Sequence, residues 1–291
     1  MQQRLLICTD LDRTLIPNGP QPESLGARRR FAVLAQRPEV TLAYVSGRHR
    51  ALIEEAIATY RLPVPDFVIG DVGTTIYRVG REHAWQRLEN WEEQIAADWA
   101  GHSHGDLLLV LKDLPALRMQ ELSKQNRLKL SYYLPLYQDI DTLAAAIRKR
   151  LEAVGVRARL VWSVDDIADI GLLDVLPAMA SKRHAIEALM REQGFSLHDT
   201  VFCGDSGNDM EVLISPIPSV LVGNSRGDVK RLAQELAAEA GTKDRLYIAT
   251  DGLMDMNANY SAGMLEGIAH YHPETIAWFS ASPTGEDKPA A

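Results

Sequence analysis

Carboxylates follow the first apolar segment of the chain in a spacing that suits phosphoryl chemistry. Leu5–Thr9 is a short apolar run typical of a buried strand, and it leads directly into Asp10–Thr14, which reads Asp-Leu-Asp-Arg-Thr. One carboxylate could attack phosphorus, and the second, two residues on, could act as general acid and then as general base. Because side chains two residues apart share a face of a straight strand, we expect the strand to end at about Asp10.

Further polar groups stand where strands are predicted to end or a helix to begin. Ser46, the turn Gly70–Thr75 and the segment Gly204–Asp209 each follow an apolar run, and Lys182 opens a predicted helix. Ligands of an open parallel sheet bind at the carboxyl ends of its strands. We therefore expect these groups to meet the two N-terminal aspartates at one rim of a sheet.

Such a convergence predicts a cation-dependent site for phosphoryl transfer. Crowded carboxylates repel one another unless a cation lies among them, and oxygen ligands suit Mg²⁺. The metal and Lys182 would neutralise phosphate oxygens during the reaction. Each group taken alone has a simpler interpretation. Asp10–Thr14 could be a short acidic turn, Ser46 could be an ordinary turn or N-cap residue, and Lys182 could be a surface lysine. Their order along the chain carries the prediction.

Strands and helices alternate at both ends of the chain, whereas the middle has several strands with few helices between them. The sequence therefore predicts an α/β fold, a Rossmann-like doubly wound parallel sheet with an inserted α+β domain. The predicted boundaries are 1–77 and 178–275 for the sheet domain and 78–177 for the insert. The segment 280–291 lacks apolar periodicity, and we predict that it is a disordered tail.

Apolar periodicity also predicts individual elements. We expect helices over Ser24–Ala35, with Ser24 as the N-cap, and over Trp85–Ala100 and Asp139–Val154 in the insert. The apolar run Leu107–Leu111 is predicted to be a strand.

Composition narrows the class of protein. Apolar residues make up 46% of the 291 residues and charged residues 24%, which is typical of a globular protein with a sizeable core. A net charge of −8 without a long basic run argues against a nucleic-acid partner. No apolar stretch is long enough to span a membrane, the N-terminus does not resemble a signal peptide, and the two cysteines are too few for a disulfide framework, so we expect a cytoplasmic protein.

Four of these groups resemble the motifs of the haloacid dehalogenase superfamily, namely Asp10–Thr14, Ser46, Lys182 and Gly204–Asp209, and the match spans roughly residues 4–240. By that resemblance Asp10 is the nucleophile and Asp12 the acid/base. Mg²⁺ is the implied cofactor, held by Asp10, the main-chain carbonyl of Asp12 and Asp205, with Asp209 in support. The implied phosphate-binding residues are Thr14, Ser46, Gly47, Lys182 and Asn208.

Two further expectations depend on this resemblance. Arg13 stands where the family usually has Gly or Asn, and because the position lies between ligands its side chain can point away from them. The family fold pairs the strands that contain Cys8 and Cys203. We therefore expect the two cysteines to be buried, reduced and close neighbours.

The insert resembles a type-IIB cap, which closes over the core and selects the substrate. Segments 72–77, 129–133 and 173–177 resemble those of sucrose-phosphate phosphatases. Segment 263–268, near the C-terminus, is similar to phosphatase domains of sucrose and mannosylfructose synthesis. The implied reaction is hydrolysis of a sugar phosphate, with sucrose 6-phosphate the first candidate. Within the cap, a predicted sugar-binding group comprises Gln125, Asn126 and Lys129, and an ordinary polar loop is the alternative.

Other functions remain open at this point. The same cap type occurs in mannosylfructose-phosphate and mannosyl-3-phosphoglycerate phosphatases, in generic sugar phosphatases and in phosphomannomutases, which must transfer the phosphoryl group to a second hydroxyl. A different class is a non-catalytic domain that binds a sugar phosphate and partners a glycosyltransferase such as a sugar-phosphate synthase. The intact acids and lysine argue against this reading.

Overall fold

The computed structural model describes residues 4–80, 84–165, 168–250 and 252–280, and the chain divides into two compact units. The first unit comprises the described parts of Met1–Val45, Glu54–Phe67 and Met190–Ala291, and the second those of Ser46–Ile53 and Val68–Leu189. The predicted disordered tail, 280–291, lies outside the described residues apart from Ser280. None of the helices in the described ranges combines the length and the hydropathy needed to cross a membrane.

Twelve strands occur in the described part of the chain. They are β1 (Leu5–Thr9), β2 (Val40–Val45), β3 (Phe67–Gly70), β4 (Thr75–Val79), β5 (Trp85–Arg87), β6 (Arg118–Met119), β7 (Leu130–Leu134), β8 (Ala158–Asp165), β9 (Ile170–Pro177), β10 (Thr200–Gly204), β11 (Ser219–Leu221) and β12 (Leu246–Ile248).

Ten α-helices lie in the same described ranges. They are α1 (Ala27–Ala35), α2 (Arg50–Tyr60), α3 (Glu89–Ala96), α4 (His104–Leu111), α5 (Ile140–Glu152), α6 (Lys182–Gln193), α7 (Met210–Leu213), α8 (Gly227–Glu239), α9 (Ser261–Tyr271) and α10 (Thr275–Ser280).

The first unit is built on a parallel sheet in the order β12-β11-β10-β1-β2. Strand β1, Leu5–Thr9, is paired on both sides and buried along its whole length, which explains why it reads as a continuous apolar run. Adjacent residues of β11 face opposite sides of the sheet. Val220 lies against Gly267 of α9, whereas the Ser219 hydroxyl donates to the Val212 carbonyl in α7. Helices thus cover both faces, and the predicted α/β fold is confirmed.

The second unit contains a four-stranded antiparallel sheet in the order β6-β7-β9-β8 and an antiparallel pair of β4 and β5. Helix α5 packs on β8 and against α4. The described residues of the predicted insert, 78–177, all belong to this unit. The unit also contains Ser46–Ile53 and residues 68–77 and 178–189, which the sequence analysis assigns to the sheet domain. The predicted boundaries between core and cap, at 77 and 178, stay a prediction.

Three predicted elements are wrong, each for a local reason. Trp85–Ala100 is not one helix, because Trp85 pairs with Val79 in a strand before α3 begins at Glu89. Leu107–Leu111 is the second half of α4, whose start is fixed by a capping box between Ser103 and Asp106.

Helix α1 starts at Ala27, three residues later than predicted. Ser24 does not cap it, because its hydroxyl accepts the Asn257 N–H at 2.8 Å, and Gly26 stands at the N-cap with a positive φ of 74°.

The two cysteines are buried and free on neighbouring strands, as predicted. The register pairs Cys8 with Phe202 and Cys203 with Thr9. Their side chains therefore lie on opposite faces of the sheet rather than against each other. Burial raises the pKa of both thiols well above the ordinary range, so they are packing residues and not nucleophiles.

Helix α9 approaches the sheet through a glycine. A Cβ placed on Gly267 would lie inside van der Waals contact of both γ-carbons of Val220. We expect Gly267→Ala to lower the free energy of unfolding by about 1–3 kcal/mol, because overpacking outweighs the helix propensity of alanine. Gly227→Ala is the matched control, since a Cβ at this helical glycine meets no atom within 4 Å. Equal urea midpoints for the two variants would contradict the close approach.

Candidate active site

The chain turns immediately after β1, as the spacing of the acids requires. The strand ends at Thr9, and the Asp10 N–H donates to the Cys203 carbonyl of β10 at 2.9 Å. Beyond it the chain folds back, because the N–H groups of Leu15 and Ile16 both donate to the Leu11 carbonyl, at 3.1 and 2.8 Å. The two carboxylates of the motif consequently lie in a turn and not on one face of a strand.

Three carboxylates meet at the ends of the two central strands. Asp10 follows β1, and Asp205 and Asp209 follow β10; each offers an oxygen, and these oxygens lie within 4.8 Å of one another. The residues are buried, with exposed fractions of 5%, 5% and 0%. Parallel neighbours end at the same edge of a sheet, so pairing of β1 with β10 is what assembles the cluster.

The loop after β10 is organised by Asp209. Its Oδ2 accepts the N–H groups of Asp205 and Ser206 at 3.2 and 3.3 Å. A Cβ on Gly204 would lie 2.6 Å from that same oxygen, so only glycine leaves room for the carboxylate. Asn208 is exposed, and its Oδ1 accepts the Ser206 hydroxyl at 3.0 Å.

An asparagine that sequence reasoning missed positions the second acid of the motif. Asn18 donates from Nδ2 to Asp12 Oδ1 at 2.8 Å, and its own Oδ1 accepts the Arg13 N–H at 2.8 Å. Asp12 is half-buried, so its carboxylate is oriented without being sealed from water. Thr14 is fully buried instead, and its hydroxyl has no hydrogen-bond partner among the described residues.

A cavity of about 170 Å³ in the first unit opens on these groups. Its wall is formed by Asp10, Asp12, Arg13, Asp205, Ser206, Asn208, Arg226 and Val229. The wall therefore brings together the predicted catalytic acids Asp10 and Asp12, the predicted metal ligand Asp205 and Asn208. It also places Arg13 in the wall, which corrects the expectation that this side chain points away.

Ser46, Gly47 and Lys182 lie in the second unit. The Ser46 N–H donates to the Ile69 carbonyl at 2.8 Å, and its carbonyl accepts the Val72 N–H at 3.2 Å. Lys182 is the first residue of α6 and is 4% exposed. Their predicted role in binding phosphate stays a prediction.

A strained turn joins these two segments within the second unit. Asp71, Val72 and Gly73 have successive positive φ values of 51°, 60° and 91°, and the left-handed region is costly for β-branched Val72. A Cβ on Gly73 would lie 2.5 Å from the Ser181 carbonyl carbon, so the turn packs directly on the start of α6. Strain of this kind persists at functional sites when surrounding contacts over-determine it.

The predicted sugar-binding amides are engaged within the second unit. Gln125 Nε2 donates to the carbonyls of Gln120 and Ser131 at 3.1 and 2.9 Å, and its Oε1 accepts the Ser131 N–H at 2.9 Å. Asn126 donates to the Thr74 hydroxyl at 2.9 Å and accepts the Leu128 N–H at 2.8 Å. Both amides support the fold, and a role in reading a sugar stays a prediction.

Lys129 belongs to a buried charged cluster. Its Nζ lies 3.5 Å from Asp71 Oδ1, and both residues are buried. The Ser131 hydroxyl donates to Asp174 Oδ1 at 2.5 Å. Burial raises the pKa of Asp174, and this outweighs the opposing effects of the Lys129 charge and the Ser131 hydrogen bond. Sequence reasoning singled out only the lysine, since nothing local marks the two acids as its neighbours.

A family model of sucrose-6F-phosphate phosphohydrolases matches residues 3–272 of the chain. The chain belongs to this family. It is accordingly a phosphoric monoester hydrolase of the haloacid dehalogenase superfamily, which confirms the class that the four motifs predict.

Curated relatives align with nine-tenths or more of the chain. A protein of Nitrosococcus oceani described as a HAD-like hydrolase is 50% identical over 291 residues, which is 100% of this chain and 77% of that protein. Mannosylfructose-phosphate phosphatase of Agrobacterium fabrum is 29% identical and aligns over 93% of this chain and 98% of its own length. Sucrose-phosphatase 1 of Nicotiana tabacum is 28% identical over 92% of this chain, which spans only 59% of that protein.

Among solved structures, the sucrose-phosphatase of Synechocystis sp. PCC6803, in complex with sucrose and phosphate, matches with a TM-score of 0.69. The match covers 93% of this chain and 98% of that one at 23% identity. The family fold is therefore shared along nearly the whole phosphohydrolase chain.

Removing the charge of Lys129 tests the buried cluster. We expect Lys129→Met to lower the free energy of unfolding by about 3 kcal/mol, because the buried Asp71 carboxylate then lacks its ion partner. Lys112→Met, at an exposed lysine of the same unit, should change stability by less than about 0.5 kcal/mol. Urea unfolding followed by circular dichroism measures both, and equal midpoints would show that the pair contributes nothing.

Proposed function

We propose that this phosphohydrolase hydrolyses a disaccharide phosphate, sucrose 6-phosphate first, in a Mg²⁺-dependent reaction with Asp10 as the nucleophile. The observation that carries the proposal is the buried cluster of Asp10, Asp205 and Asp209 beside Asp12 at the ends of β1 and β10. Family membership and the names of its relatives support a sugar phosphate as the substrate.

The donor set fits a divalent cation. Three carboxylate groups with oxygens within 4.8 Å of one another repel one another, and a cation among them offsets this repulsion. Hard oxygen donors are the ligands that Mg²⁺ prefers. We assign the metal to Asp10, Asp205 and Asp209, with the Asp12 carbonyl added on the family resemblance. When bound, Mg²⁺ supplies positive charge that offsets the charge on the phosphate oxygens.

The acids then divide the chemistry between them. An oxygen of Asp10 attacks phosphorus, the bond from phosphorus to the sugar oxygen breaks, and Asp12 donates the proton that the leaving oxygen needs. In the second step Asp12 takes a proton from water, whose oxygen attacks phosphorus. The bond between phosphorus and the Asp10 oxygen breaks, which releases inorganic phosphate and restores the Asp10 carboxylate. The hydrogen bond from Asn18 holds Asp12 in place for both transfers. Ser46, Gly47, Lys182, Thr14 and Asn208 remain the proposed phosphate-binding residues.

The choice of sugar rests on the relatives. Sucrose-phosphatase 1 of Nicotiana tabacum and the mannosylfructose-phosphate phosphatase both align over more than nine-tenths of the chain, so mannosylfructose phosphate is the second candidate. Mannosyl-3-phosphoglycerate and monosaccharide phosphates follow. A role in sucrose biosynthesis, a cytoplasmic location and association with a sugar-phosphate synthase belong to the same proposal. One relative, of Pseudomonas anguilliseptica, is itself named a glucosylglycerol-phosphate synthase.

Release of inorganic phosphate from a panel of sugar phosphates tests the substrate. We expect kcat/KM for sucrose 6-phosphate to exceed that for mannosylfructose phosphate and glucose 6-phosphate by about tenfold or more, since sites that hydrogen-bond substrate hydroxyls discriminate strongly.

The same assay tests the metal and the nucleophile. EDTA should abolish activity, and excess MgCl₂ should restore it. Asp10→Asn should lose roughly a thousandfold or more in kcat. A flat substrate profile would remove the sucrose assignment, and equally poor hydrolysis by wild type and Asp10→Asn would favour a non-catalytic binding domain.

The leaving group tests the role of Asp12. Asp12→Asn should slow sucrose 6-phosphate hydrolysis by roughly 10²–10⁴-fold, because a sugar alkoxide needs a proton to leave. p-Nitrophenolate leaves without a proton, so the same variant should release one equivalent of p-nitrophenolate in a burst. Later turnovers should be slow, because hydrolysis of the aspartyl phosphate needs Asp12 as general base. Rapid-quench kinetics on both esters measure this. Equal slowing of the first turnover on the two substrates would contradict the assignment.

A further inference from the structure

Arg13 occupies a backbone position that suits glycine or asparagine. Its φ is 58°, in the left-handed region that bulky side chains rarely adopt. Two asparagines hold it there, since the Arg13 N–H donates to Asn18 Oδ1 at 2.8 Å and its carbonyl accepts Asn224 Nδ2 at 2.7 Å. Asn224 is anchored in turn by the Tyr260 N–H, which donates to its Oδ1 at 2.8 Å.

This backbone directs the guanidinium group into the acid cavity. Arg13 Nε lies 3.4 Å from Asp205 Oδ2, and Arg13 forms part of the cavity wall with Asp10 and Asp12. The Nε atom is buried, yet it makes no hydrogen bond with acceptable geometry to any described residue. The contact with Asp205 is therefore a charge interaction without a directional hydrogen bond.

The position of the Arg13 guanidinium allows a divalent cation to replace it beside Asp205. The side chain of Asp205 is 6% exposed and that of Arg13 is 38% exposed, so the arginine reaches solvent while its partner does not. A singly charged guanidinium compensates the three clustered carboxylates less well than a divalent cation does. The arginine and the metal repel each other when both are near Asp205.

We propose that Arg13 is a built-in counter-ion that competes with the divalent cation for Asp205. It stabilises the metal-free cluster and thereby weakens Mg²⁺ binding, so the affinity for the metal is set by a residue that is not itself a ligand. This inference rests on the magnesium site of the proposed function and goes beyond it, because it concerns the metal-free protein and its affinity for the cation.

Mg²⁺ binding to the full-length, chelator-treated protein tests the inference without any measurement of activity. We expect Arg13→Asn to lower the Kd for Mg²⁺ by up to about fivefold. This is the upper limit of what a partly exposed ion pair contributes. Isothermal titration with MgCl₂ at constant ionic strength gives the Kd, and the rise of the melting temperature with MgCl₂ gives an independent estimate. Arg13→Gly, which also suits the positive φ, should tighten binding similarly and serves if the asparagine variant does not fold.

Arg61→Asn is the matched control. Arg61 also has a positive φ, of 52°, and it is exposed and absent from the cavity wall. Its replacement relieves the same backbone strain without removing charge from the site, so the Kd should equal that of wild type.

Each outcome is decisive. An unchanged or higher Kd in the Arg13 variants overturns the counter-ion role while leaving the magnesium site intact. A similar gain in Arg61→Asn would assign the effect to backbone strain, and that also overturns the inference. If neither wild type nor any variant binds Mg²⁺, the magnesium site itself fails and the inference fails with it.

Discussion

Repulsion among three buried carboxylates is the constraint around which the first unit is organised. Asp10, Asp205 and Asp209 offer oxygens within 4.8 Å of one another and are almost wholly withdrawn from water. Such a cluster costs stability in any protein that has no cation for it. The backbone N–H groups that donate to Asp209 and the guanidinium of Arg13 each relieve part of this cost. The fold thus concentrates negative charge that a bound metal ion would compensate more fully.

Glycines and left-handed residues allow backbone and side chains to come this close. Gly204 leaves the space that the Asp209 carboxylate occupies, and Gly267 lets α9 lie directly on the strand next to β10. Arg13 accepts an unfavourable φ because hydrogen bonds to Asn18 and Asn224 fix it. Local strain near the acids is therefore supported by packing and hydrogen bonds farther away.

The second unit repeats this principle with different residues. The turn Asp71–Gly73 combines three positive φ values with a buried ion pair to Lys129 and close packing on the start of α6. It also binds the segment that begins at Ser46. Ser46 and Lys182 look like independent motifs along the chain. In the structure, the same strained turn contacts the Ser46 backbone and the start of α6, where Lys182 lies.

The sequence alone determined the kinds of groups and their places on the strands. The bounds of β1 and the start of α6 could be predicted because apolar periodicity and strand ends are local properties. The short apolar run of α4 suits strand and helix alike, and its cap decided for the helix. Only the tertiary structure decided what each group touches. Distances such as that from Arg13 to Asp205 arise where β1 pairs with a strand from the far end of the chain, and no local pattern records that pairing.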